Sequence, residues 1–134
     1  MFKGSNVALI TPFKDNKLDE ESYIKIINHH LENGTNGLVP VGTTGESPTL
    51  SHDEHERTIE LCRKEATGKL PIIAGTGSNS TDEAVSLTKH AEKAGADGAL
   101  VVTPYYNKPT QEGLYQHYKS INDNCGIPII IYNI

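Results

Sequence analysis

No apolar run in this chain approaches the ~20 residues that a membrane-spanning helix needs. The stretch Met1–Phe13 has a short apolar patch but no hydrophobic region followed by a small-residue cleavage site. It reads as a first strand rather than an export signal. Cysteine is scarce, with two in 134 residues. Cys62 and Cys125 show no CxxC spacing and no disulfide framework. The 12 basic residues are scattered against 17 acidic ones, for a net charge of −5. A nucleic-acid surface wants clustered Lys and Arg, so none is expected. No His, Cys, Asp or Glu set has metal-ligand spacing with a third residue in reach, so no metal is expected. Together these absences favour a cytoplasmic protein with no membrane contact.

What is present is an ordinary globular composition, 36% apolar and 22% charged, in a length that suits one domain. The pattern alternates strand and helix. Val7–Thr11, Gly37–Val41, Leu70–Ala74, Gly98–Thr103 and Pro128–Tyr132 read as short, continuously apolar strands. Such strands belong to a parallel sheet covered by helices.

Between the strands lie four amphipathic helical segments. Asp19 caps the first, which turns Tyr23, Ile24, Ile27 and Leu31 to one face and stops at Gly34. Ser51 with Glu54, and Ser80 with Glu83, each fit a capping box. Thr110 caps the fourth helix, with Leu114, Tyr118 and Ile121 on one side. Strand centres recur about every 30 residues, the size of one βαβ unit. Two architectures accommodate (βα)4β: a free-standing flavodoxin-like domain, or the first half of a (βα)8 barrel. The lack of a helix after the fifth strand counts against the first.

In either architecture ligands bind at the C-terminal ends of parallel strands. Those ends carry Gly42-Thr43-Thr44-Gly45-Glu46, Gly75-Thr76-Gly77-Ser78-Asn79, Thr103-Pro104-Tyr105-Tyr106-Asn107 and Tyr132-Asn133. Hydroxyls dominate, and positive charge is short. Such a rim suits a small carbonyl or carboxylate held by neutral donors, not a polyphosphate. No Gly-Lys-[Ser/Thr] follows the glycines, and the lone Gly75-x-Gly77 is weak evidence for a dinucleotide. His29, His30, His90 and His117 read as solvated or partly buried helix residues. His52 and His55, in the first turn beside the GTTGES loop, are balanced between surface polar residues and ligand-binding ones.

The segments VGTTGESPTLSHDEH (Val41–His55), IIAGTGSN (Ile72–Asn79), VTPYYNKPTQEGLYQHY (Val102–Tyr118) and IYN (Ile131–Asn133) carry a resemblance. Over its whole length the chain resembles the dihydrodipicolinate synthase family. The resemblance implies a (βα)8 TIM barrel, with residues 1–134 as the N-terminal half of a single domain. It implies a class I aldolase-type lyase in lysine and diaminopimelate biosynthesis that needs no cofactor. Pyruvate would form a Schiff base with a lysine and then attack L-aspartate 4-semialdehyde.

By resemblance, Thr43 links Tyr106 and Tyr132 in a proton relay, with Tyr106 lent across a tight dimer interface to the neighbouring subunit. Thr44 would hold the pyruvate carboxylate. The relay makes chemical sense, because a hydroxyl chain moves protons without placing a full charge in the site. Glu46 is expected to anchor its loop by accepting backbone N–H bonds. Ser47, Pro48, His52, His55, Asn79, Glu83 and Tyr105 match an interface site for the end product L-lysine. A homotetramer built from two tight dimers is implied.

One part of the pattern is missing. The Schiff-base lysine belongs on a sixth strand, and these residues hold five. Lysines such as Lys69 and Lys108 do not stand at strand ends facing a barrel centre. The 134 residues by themselves are therefore expected to be inactive, as a fragment or a truncated product. A non-catalytic half-barrel and a flavodoxin-like ligand-binding module are the other readings.

Overall fold

The structure, a computed structural model, describes residues 2–134. The first strand, β1 (Asn6–Ala8), leads into a small hairpin of β2 (Phe13–Lys14) and β3 (Lys17–Leu18). Asp15 and Asn16 form its two-residue turn with φ of 52° and 59°. Asp and Asn tolerate that left-handed backbone, which matches the twist of a tight hairpin. This hairpin was absent from the sequence reading, although Asp-Asn between two short apolar-tipped segments was its signal.

Four helices and four further strands then alternate: α1 (Glu20–Glu32), β4 (Gly37–Val39), α2 (His52–Ala66), β5 (Ile73–Gly75), α3 (Thr81–Ala94), β6 (Gly98–Val102), α4 (Gln111–Asp123) and β7 (Ile129–Tyr132). The expected helix starts are all present. Asp19 accepts the Ser22 N–H at 3.1 Å, Ser51 and Glu54 form a complete capping box, and Thr110 accepts the Gly113 N–H at 3.1 Å. Strand ends differ from expectation by a few residues. Pro71 has no N–H to offer a ladder, and the Ile72 N–H is taken by the Asp97 carboxylate at 2.9 Å, so β5 begins only at Ile73.

Strand order decides the architecture. β1 pairs in parallel with β4, and a parallel bridge from Leu38 to Ile72 joins β4 to the segment entering β5. β5 pairs with β6 and β6 with β7, again in parallel. The five strands thus lie side by side in chain order. A doubly wound sheet would place its first strand between two later ones. Chain order with one helix per crossover is the wall of a (βα)8 barrel.

The main core lies between this wall and the first three helices. Tyr23, Ile27, Leu38, Ile59, Cys62 and Ile72 are fully buried there. Each large apolar side chain so removed from water contributes about 1.5–3 kcal/mol. Burial pushes the Cys62 thiol up to about 12, beside the Tyr23 hydroxyl, so it stays protonated and unreactive. A second cluster of Ala84, Ala99, Val101 and Ile121 seats α3 and α4 on β6. Among the described residues, the outer edges of β1 and β7 have no strand partner. Nearby, Ile10, Ile131 and Ile134 are exposed.

Candidate active site and an adjoining polar pocket

The rim begins where β4 ends. Val41 is buried yet has φ of 48°. A β-branched residue seldom adopts this backbone, and such strain clusters at functional sites. Two short 3-10 turns follow, Thr43–Gly45 and Ser47–Thr49, hinged at Glu46 with φ of 59°. The Gly42 carbonyl accepts from Gly45 N at 3.0 Å, and the Gly45 carbonyl accepts from the buried Thr11 hydroxyl at 2.7 Å. The Glu46 carboxylate does not anchor the loop as expected. It takes no hydrogen bond among the described residues, and the residue contributes its backbone carbonyl to Thr49 instead.

β5 meets this loop at Gly75. A Cβ there would collide with the Val41 carbonyl and lie 2.8 Å from the Gly42 nitrogen. Glycine is therefore what allows the two backbones to close over the strand ends. Gly77 makes the same kind of approach to the Val102 backbone.

A cavity of about 220 Å3 opens here, at the C-terminal ends of the strands. Val41, Leu100 and Val102 give it an apolar floor, and Gly42, Gly75 and Gly77 give it backbone walls. Its polar side chains are Thr43, Ser47, Tyr105 and Tyr132, and it has no lysine, arginine or histidine among its lining residues. The arrangement can hold a small neutral or anionic molecule through hydroxyl and backbone donors. It offers no group among these residues to form an imine.

Two of the three expected relay residues, Thr43 and Tyr132, share this cavity. Tyr106 does not line it: the side chain is 92% exposed and the residue has φ of 70°. Thr44 is exposed and also lies outside the lining.

Behind Tyr105 lies a second, polar pocket of about 90 Å3. It gathers Ser47, Pro48, His52, His55, Glu83 and Tyr105, six of the seven residues matched to the interface site. Asn79 is not among them. The side-chain amide of Asn107 donates to the Asn79 carbonyl at 3.1 Å.

His55 corrects the surface reading, since it is 3% exposed. Its Nε2 donates to the Gly75 carbonyl at 3.0 Å, and burial lowers its pKa to about 4. The ring is therefore neutral at pH 7, with Nδ1 unprotonated and without a partner among the described residues. His117 is likewise more buried than expected, with Nδ1 on the Thr81 hydroxyl at 2.9 Å.

Sequence reasoning missed two supports of the site. The Tyr118 hydroxyl donates to the Thr103 hydroxyl at 3.1 Å, and the Thr103 hydroxyl lies 3.1 Å from the Tyr132 carbonyl. Thr103 thus fixes the strand end that presents Tyr132. Ser78, 1% exposed, donates to the Glu83 carboxylate. Neither role has a local sequence signal, because each depends on residues brought together by the fold.

A model of the dihydrodipicolinate synthetase family matches residues 1–134. The chain belongs to that family. It is 79% identical to the 4-hydroxy-tetrahydrodipicolinate synthase of Pelagibacter ubique over 134 residues, covering 100% of this chain and 46% of that protein. The fold is similar to that of the Acinetobacter baumannii dihydrodipicolinate synthase, solved in complex with pyruvate, with a TM-score of 0.98 and 55% identity. That match covers 100% of this chain and 46% of the other. The Cyanidioschyzon merolae enzyme, solved with lysine bound, superposes with a TM-score of 0.93 and 40% identity, covering 98% and 46% respectively. The chain spans about half the length of the relatives it matches. Its fold is that of the N-terminal half of the (βα)8 barrel. No helix among the described residues is long and apolar enough to cross a membrane.

Proposed function

We propose that residues 1–134 are the N-terminal half of a single-domain, cytoplasmic 4-hydroxy-tetrahydrodipicolinate synthase. The complete barrel is a class I aldolase-type lyase. It condenses pyruvate, held as a lysine Schiff base, with L-aspartate 4-semialdehyde in lysine and diaminopimelate biosynthesis. The observation that carries the reading is the strand-end cavity, with Thr43 and Tyr132 facing into it and no cationic side chain in its lining.

In this reading Thr43 passes a proton between Tyr132 and a tyrosine supplied from outside the chain's own cavity. A threonine hydroxyl can donate and accept at once, so it can sit in the middle of such a relay. Tyr106 is that tyrosine, presented outward to the neighbouring subunit of a tight dimer. Two such dimers form the tetramer. Thr44 grips the pyruvate carboxylate. The Schiff-base lysine is not among these residues, so the 134-residue chain has no turnover by itself. The polar pocket takes L-lysine as feedback inhibitor, its carboxylate meeting Tyr105 and its ammonium groups meeting Glu83 and the imidazoles.

The test is a hybrid in which residues 1–134 replace the matching stretch of the Pelagibacter relative. The hybrid is expected to be trapped as a covalent adduct by pyruvate with borohydride and to consume aspartate semialdehyde. The isolated 134 residues are expected to give no adduct. A folded hybrid without turnover would overturn the proposal, and so would an adduct on the isolated chain.

A further inference from the structure

Glu83 occupies two positions at once. As the third residue of α3 its N–H donates to the capping Ser80 hydroxyl, at 3.5 Å. Its carboxylate does not return to the Ser80 N–H, as a full capping box requires. The Ser80 N–H bonds instead to the Ser78 hydroxyl at 3.0 Å, and that hydroxyl donates to Glu83 Oε2. Ser78 thus stands between the cap and the carboxylate and takes over the bond that Glu83 gives up.

The consequence lies in the other oxygen. Oε1 is left to face the polar pocket, where His52 Nε2 donates to it at 2.9 Å. The two partners differ sharply. Ser78 is 1% exposed, but the His52 side chain is 69% exposed. A buried, saturated hydroxyl holds its geometry, whereas an exposed imidazole is readily displaced. A primary ammonium entering the pocket can replace His52 and meet a carboxylate already oriented and charged.

We propose that Ser78 is a positioning residue for a cationic amino-acid ligand in this pocket. It acts through Glu83, and the inference rests on the reading of the pocket as a lysine site. Other groups facing Glu83 are His52 and His55 from α2 and, across the pocket, Tyr105 from the loop after β6. The Ser78 hydroxyl is the main cause holding the Glu83 carboxyl below its usual range, ahead of His52. Losing Ser78 therefore removes the bond that orients the carboxylate and raises the pH at which it protonates.

The experiment is calorimetric titration of the hybrid barrel with L-lysine from pH 4 to 8, with Ser78→Ala and Ser78→Thr beside the unsubstituted hybrid. A hydrogen bond to a charged group at this strength predicts an affinity loss of about tenfold for Ser78→Ala. Its acid limb of binding moves to higher pH. Ser78→Thr keeps the hydroxyl and recovers both the affinity and the limb. Unchanged affinity and limb in Ser78→Ala would overturn the inference, as would equal impairment of the alanine and threonine variants. Absence of lysine binding by the unsubstituted hybrid would overturn the lysine-site reading itself, and the two failures are thus distinct.

Discussion

The two pockets share a wall and differ in almost everything else. Ser47, Pro48, Gly77 and Tyr105 line both. On one side lies an apolar cavity whose polar side chains are neutral hydroxyls. On the other is a smaller pocket furnished with two imidazoles and a carboxylate. The first offers a ligand neutral hydroxyls and no fixed charge. The second carries groups that recognise charge. One structural thread runs between them: His55 lines the polar pocket and bonds to the carbonyl of Gly75, which lines the cavity.

That comparison can be broken most severely at Gly75. Its added Cβ would meet backbone rather than a flexible side chain, so relief requires the Val41–Gly42 loop to move. Gly75→Ala is expected to cost about 3 kcal/mol or more in denaturant unfolding, and to disturb both pockets.

The next largest effect concerns His55. Its folded pKa of about 4 lies below the ordinary 6.5, so the unfolded chain binds the extra proton first. Stability is fully present above pH 6.5 and falls as the pH drops toward 4, by about 3 kcal/mol from this group. In urea titrations His55→Gln should flatten that slope. A slope identical to the unsubstituted protein would show that His55 is not the linked group.

Thr43→Val in the hybrid barrel should lower kcat about 100-fold, the usual worth of a placed proton-transfer group. Lysine affinity should stay nearly constant, since Thr43 is not in the polar pocket. The smallest effect is expected from Ser51→Ala, about 1 kcal/mol of thermal stability, because it removes the cap of the helix that carries both pocket histidines.

The alternating pattern and the caps were legible because they are local. Asp19, Ser51 and Thr110 announce helix starts within four residues, and the apolar strand runs announce a covered parallel sheet. Strand order was not legible, since periodicity is the same for a barrel wall and a doubly wound sheet. The expected relay residues Thr43, Tyr106 and Tyr132 were reachable only through the GTTGES, TPYYN and IYN segments and what they resemble. Three features had no signal at all. The left-handed backbone at Val41 contradicts the preference of valine. The buried state of His55 depends on a carbonyl 20 residues away. Ser78 was one hydroxyl among several at a strand end until the fold set it between a cap and a carboxylate.

The central claim is that one copy's Thr43 and Tyr132 work with the Tyr106 of another copy, and a mixing experiment addresses it directly. Hybrid barrels carrying Thr43→Val and Tyr106→Phe, each nearly inactive, are combined and allowed to exchange subunits. If Tyr106 is lent outward, every mixed dimer holds one intact set of hydroxyls and turnover returns. If activity stays at the level of the separate variants while mixed dimers form, Tyr106 serves its own chain and the account is wrong.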